Sequence, residues 1–130
     1  MTMAHPNAEL LRREFEATVA GDMAGLIECY ADDQVFHYPG RNPAAGEYRG
    51  RDGFTKFLGK IGELGVTVTR ELHDVLANDE HGIQLITVHG ERNGKRLTWR
   101  GVAVMHVRDG KIAETWIHVD DQDALDEFLS

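Results

Sequence analysis

The sequence predicts an α+β fold: helices collected on the concave face of a curved, mostly antiparallel sheet. Three observations predict it. Between Ile83 and Asp120 the chain writes three strands joined by Asn93-Gly94 and Asp109-Gly110, dipeptides that favour the positive φ angles of two-residue type I′ hairpin loops. Helical spacing of apolar residues is concentrated before Gly65. Helices first and strands afterwards is the order in which helices cover one face of a sheet.

Each element has its own signal. Leu10, Leu11, Phe15 and Val19 repeat at helical spacing over residues 7–19, with Arg12, Arg13 and Glu16 for the wet side. Gly21 ends that helix, and Asp22 caps a second from Met23 to Tyr30. A short apolar strand, Val35 to Tyr38, stops at Pro39-Gly40, and Arg41 to Gly50 reads as a loop. A third helix begins at Arg51 or Asp52 and carries the stripe Phe54, Phe57, Leu58 and Ile61. Val66 to Ala77 is a strand, and Asn78 to His81 turns it into the three-stranded ladder. Asp123 to Leu129 forms a short helix or tail. The expectation is one α+β barrel domain over residues 1–130, with three helices from the N-terminal half on the concave side.

Composition narrows the function. A net charge of −8 opposes nucleic acid or an anionic membrane as the main partner, since both require a basic face. The single cysteine, Cys29, excludes an internal disulfide and a cysteine metal cluster, and its apolar helical neighbours mark it as core. No apolar run approaches the ~20 residues of a membrane span, and no basic-then-apolar leader opens the chain. A cytoplasmic protein is expected. Seven histidines show no pair at the close helical spacing of a zinc site, so no metal is assigned, although convergence of His37, His73 and His118 stays open.

Centring the hairpins on the two turns pairs Arg92 with Lys95 and Arg108 with Lys111. One face then carries Thr87, His89, Thr98, Arg100, Val102, Val104, Thr115, Ile117 and Val119. The other carries Gln84, Ile86, Val88, Trp99, Ala103, Met105, Trp116 and His118. Both are apolar in the middle, so one covers the helices and the other meets a second subunit.

The whole order resembles the nuclear transport factor 2-like superfamily, above all SnoaL-like polyketide cyclases, ketosteroid isomerases and limonene epoxide hydrolases. The residues that carry the resemblance are Gly21-Asp22, Ala31-Asp32-Asp33, Pro39, Tyr48-Arg49-Gly50-Arg51, Asp109-Gly110-Lys111-Ile112, Trp116 and Asp120. These are turns, caps and core positions, so they speak for fold rather than activity. Carried over position by position, most of the family's acids are missing. The isomerase aspartate that precedes the proline falls on Tyr38, and the helix-one tyrosine falls on Glu14. The isomerase's protonated aspartic acid falls near Val102 or Ala103. The pocket aspartate of the cyclases, five residues beyond Ile112, falls on Ile117.

The resemblance places Ile117 in the cavity and with it the first face, leaving Trp99 and Trp116 to a homodimer interface through the sheet. Candidate acid–base groups are then His89 and Asp74, or His73 in place of Asp74 if a bulge intervenes. A histidine beside a carboxylate is a common way to poise a base near neutral pH. Arg100 or Tyr38 would stabilise the oxyanion that forms. Pocket walls are assigned to Phe36, Tyr38, Phe57, Thr87, Val102, Thr115, Ile117 and Val119. Helix one would add Glu14 to the cavity. Plainer readings stand beside these: His89 as a rim residue, Asp74 paired with Arg100 or Arg70, Glu14 at a helix boundary with its carboxylate in water. The loop from Pro39 to Gly50 is read either as part of the cavity mouth or as a stiffened surface turn. The function implied is binding of a small hydrophobic ligand, with cofactor-free cyclase, isomerase or hydrolase chemistry. The alternative is a non-catalytic ligand-binding or dimerisation module.

Overall fold

The computed structural model describes residues 4–130. Its elements run α1 (Pro6–Ala20), α2 (Met23–Glu28), β1 (Tyr30–Tyr38), β2 (Gly46–Arg49), α3 (Gly50–Glu63), β3 (Thr67–Ala77), β4 (His81–Arg92), β5 (Lys95–Arg108), β6 (Lys111–Val119) and α4 (Gln122–Leu129). Six strands form one sheet in the order β2-β1-β6-β5-β4-β3, antiparallel except where β1 lies parallel to β6. The expected barrel is an open curved sheet, because β2 and β3 end it as edges.

Local chemistry sets most boundaries. Pro6 occupies the first turn of α1, where a missing N–H costs nothing, and Gly21 closes the helix in the left-handed region at φ 68°. The Asp22 carboxylate accepts the Gly25 N–H at 3.0 Å and so starts α2. Asn93 and Asp109, with Gly94 and Gly110 behind them, have the positive φ that type I′ turns demand. Both hairpins close as the turns dictate, Arg92 opposite Lys95 and Arg108 opposite Lys111.

Part of the expected loop is ordered differently. Gly46–Arg49 pairs with β1, and Asn42 ties the preceding turn to the Asp126 carboxylate at 2.8 Å and to the Pro39 carbonyl. The Tyr48 hydroxyl donates to the Ala44 carbonyl at 2.8 Å. The turn is therefore pinned to β1 and α4.

Two bulges decide what the sheet shows to the helices. His73 is the extra residue in β3, between Leu72 opposite Ile86 and Asp74 opposite Leu85. Ala113 is the extra residue in β6, since Ile112 lies opposite Val107 and Glu114 opposite His106. Each bulge reverses the alternation beyond it. Under the helices lies a core that includes Leu10, Leu11, Phe36, Phe54, Phe57 and Met105. A second cluster joins Val88 and Trp99 to Leu125, Phe128 and Leu129 of α4.

Candidate functional site

A pocket of about 130 Å³ lies between the helices and the inner face of the sheet. Its walls are mostly apolar: Phe36 and Tyr38 from β1, Phe57, Leu58 and Ile61 from α3, Trp99 from β5. The aromatic rings touch in sequence, Phe36 to Phe57 at 4.7 Å and Phe57 to Tyr38 at 4.9 Å between centroids. Such tilted contacts hold the wall rigid at a modest gain each.

A few polar groups stand in this apolar wall, and Glu14 is the carboxyl among them. It lies on the buried stripe of α1 with Leu10 and Leu11 and is only 6% exposed. Thr18 Oγ1 sits 3.1 Å from Oε1, and Gln84 Nε2 donates to Oε2 at 3.3 Å while also holding the Leu11 carbonyl at 2.8 Å. Burial pushes the Glu14 carboxyl above its ordinary range, and the Thr18 and Gln84 hydrogen bonds and the charge of Arg70 only partly offset this. Arg70, from β3, reaches the same space, and burial lowers its proton affinity while Glu14 and Tyr38 raise it. The Tyr38 phenol is pushed up to about 12 by burial, which outweighs the favourable charge of Arg70. Thr115, fully buried, places an Oγ1 with no hydrogen-bond partner against the pocket.

The sequence-derived candidates divide across the sheet. Phe36, Tyr38, Phe57, Thr115 and Ile117 line the pocket. Val119, opposite Gly101, packs against the Trp99 cluster without lining it. His89, Asp74, Arg100, Thr87 and Val102 lie on the outer face, because the pocket takes Gln84, Ile86, Val88 and Ala103 from the alternate positions of the same strands. The cause is the bulge at Ala113. It puts Thr115 and Ile117 opposite Met105 and Ala103, so an inward Ile117 implies inward Trp99 and outward Arg100. His89 instead meets Thr98 at 2.8 Å and Glu71 at 3.5 Å in the open. Trp99 is inside and Trp116 outside, so the expected shared tryptophan face does not exist.

Neither His73 nor Asp74 enters the pocket; both are exposed, and Asp74 accepts the Val75 N–H. His37 also points outward, stacked on Trp116 at 5.4 Å with Glu114 2.6 Å from Nε2. It belongs to a strand near one edge of the sheet, and His73 to the opposite edge strand, so the two do not converge. No residue between Pro39 and Gly50 lines the pocket, so the reading of that loop as a mouth is not supported.

Sequence reasoning passed over Arg70 and Gln84 as cavity groups, and read Glu14 either as a cavity group from helix one or as a boundary residue. The signals were present. Arg70 shares its alternation with Val66, Val68 and Leu72, and Glu14 shares a helix face with Leu10, Leu11 and Thr18. A wider open groove of about 440 Å³ runs between α1, α2 and the Gly110 turn. Charged residues such as Arg13, Glu16 and Lys111 wall it, and burial pushes the Cys29 thiol up, away from the reactive thiolate. The inner pocket is the chemically poised one.

Fold and pocket together define a class: a helix-covered curved sheet enclosing an apolar space with isolated polar groups. The chain belongs to the SnoaL-like domain family, whose pattern it matches over residues 11–115. It is 34% identical over 122 residues to an uncharacterised protein of Mycobacterium tuberculosis, covering 92% of this chain and 93% of that one. Among solved structures it is similar to Bal32a from a soil-derived mobile gene cassette, at 35% identity and TM-score 0.89, over 96% of this chain and 97% of the other. A nuclear transport factor 2-like protein of Burkholderia xenovorans shares the fold at 23% identity and TM-score 0.86, with all of both chains covered. So does a candidate polyketide cyclase of Xanthomonas campestris, at 22% identity and TM-score 0.77 over 96% and 97%. Among the described residues no helix is long and apolar enough to cross a membrane.

Proposed function

We propose that this protein binds a small, mainly apolar molecule in the inner pocket and transforms it by acid–base chemistry that needs no cofactor. Glu14 is the proton-carrying group. The observation that carries this reading is a carboxyl enclosed by apolar walls, held at both oxygens, with its proton affinity raised by burial. A carboxyl so raised holds its proton to higher pH than a solvated one and is suited either to take a proton from an activated carbon or to give one to a developing oxyanion. Tyr38 retains its proton to high pH and is suited to donate a hydrogen bond to that oxygen. The fold shared with a candidate polyketide cyclase supports this class of chemistry.

The second reading is a ligand-binding module without turnover. It is favoured by Ile117 and Tyr38, which stand where the resembled enzymes keep their acids. One experiment separates the two. Ligand that co-purifies with the protein is identified by native mass spectrometry and incubated with the wild type and with Glu14→Gln. Turnover lost at least 100-fold in Glu14→Gln with binding retained supports the catalytic reading. Binding by both without turnover supports the module, and turnover unchanged in Glu14→Gln contradicts the role given to Glu14.

A homodimer through the outer face belongs to the same proposal. Ile83, Leu85, Val102, Val104 and Trp116 stand there half-buried with no helix over them. Trp116→Glu should convert a dimer to a monomer in multi-angle light scattering; a wild-type monomer at high micromolar concentration contradicts the interface.

A further inference from the structure

The pocket holds three hydrogen-bonding groups that nothing among the described residues uses. Among the described residues the Arg70 guanidinium makes no hydrogen bond and no ion pair, although it has five N–H groups to place. The Tyr38 hydroxyl, on the same wall, has no partner among the described residues. Thr115 Oγ1 is fully buried and unpartnered. Buried polar groups in folded proteins are nearly always satisfied; Thr115 Oγ1 is sealed from water without a partner, and Arg70 and Tyr38, half-buried, turn unused donors to the same apolar space. The half-enclosed guanidinium gains from the charge of Glu14 and Tyr38, but among the described residues it is hydrogen-bonded to neither, so its N–H groups are open to a ligand.

We infer that the molecule bound here is an organic oxyanion, a carboxylate or an acidic enol or phenol, whose charged oxygen pairs with Arg70 beside Tyr38. This rests on the inner pocket being the binding site proposed above. The apolar body of the ligand lies against Phe57, Ile61 and Trp99, and its inner end reaches Thr115. An apolar cavity of about 150 Å³ takes a benzene ring, so a space of about 130 Å³ open at one side suits a single ring that extends outward. Among the described residues Glu14 makes no ion pair with Arg70, and its oxygens are held by Thr18 and Gln84, which leaves the guanidinium's hydrogen bonds for the ligand. Arginine presents a planar fork that matches a carboxylate at two points, and lysine lacks that fork.

Matched probes test the inference: benzoate and cinnamate against benzamide and cinnamamide, and 4-nitrophenolate at pH 8 against 4-nitroanisole. Binding is followed by the indole N–H resonances, Trp99 reporting the pocket and Trp116 the outer face. The expected result is movement of Trp99 alone, with the acids bound at least tenfold tighter than their neutral partners. Arg70→Met should cut affinity for the acids at least tenfold, leave the neutral compounds within twofold, and melt no lower than the wild type. Arg70→Lys should restore part of the acid binding. Neutral compounds that bind as well as or better than the acids would overturn the anion assignment and leave the pocket intact. So would an Arg70→Met variant that loses both classes equally with a lower melting temperature, which marks Arg70 as structural. A panel that never moves Trp99 would overturn the pocket reading as well.

Discussion

The two faces of the sheet are built from the same strands and differ in what water does to their polar groups. On the outer face His37 meets Glu114 at 2.6 Å, His89 meets Glu71 at 3.5 Å and Arg108 pairs with Asp33, all partly or wholly solvated. Exposed pairs of this kind contribute about 0–1 kcal/mol each, and salt screens them. On the inner face Tyr38 and Arg70 stand one residue out of step from His37 and Glu71, with Glu14 of α1 opposite them, and burial displaces the proton affinity of all three. The inner face holds fewer ionisable groups, and those are the ones the proposed chemistry uses. A histidine beside a carboxylate is informative only once the side it faces is known.

That contrast is broken most strongly by a charge in the inner register. Met105→Lys, at a position 2% exposed and opposite Thr115, would put an unpaired ammonium in the core. The expected cost is roughly 3–5 kcal/mol. Thermal unfolding followed by circular dichroism should show a lost or strongly lowered transition; an unchanged one means that Met105 does not face the core. Next in size is Leu11→Ala, at a fully buried position, expected to cost about 2–5 kcal/mol in urea unfolding. A cost below about 1 kcal/mol would show α1 packing loosely on the sheet.

Glu14→Gln sharpens the comparison through pH. The folded-state carboxyl has a higher proton affinity than the unfolded one, so its contribution is fully present below the ordinary value of 4.5 and fades as pH rises through the folded-state value. Wild-type stability should therefore fall relative to Glu14→Gln as pH climbs from 4.5 into the raised range, with a plateau beyond it. Parallel curves for the two proteins would contradict a desolvated carboxyl. The smallest effects belong outside. His89→Ala and Asp74→Asn should each change stability by no more than about 0.5 kcal/mol and leave pocket binding unchanged. A large loss of binding in either would return the site to the outer face.

Much of the architecture is legible in the residues. Asn93-Gly94 and Asp109-Gly110 fix the hairpins, and Gly21-Asp22 separates α1 from α2. The partition of His89, Thr98 and Arg100 onto one side of β4 and β5 is also readable. What fails is the link from that side to Ile117, because a bulge at an alanine leaves no mark in composition. Nothing in Gly46–Arg49 distinguishes a short edge strand from a loop. The polar groups of the pocket were legible by alternation, but a charged residue in an apolar register is easily taken for a surface group when the opposing helix is unknown.

The most direct test is the titration of the Glu14 side-chain carboxyl by carbon-detected NMR, with Glu14→Gln used for assignment. The account requires a midpoint clearly above 4.5 in the ligand-free protein. A midpoint at or below 4.5 would mean that burial does not govern this carboxyl, and would remove Glu14 from the proton-carrying role.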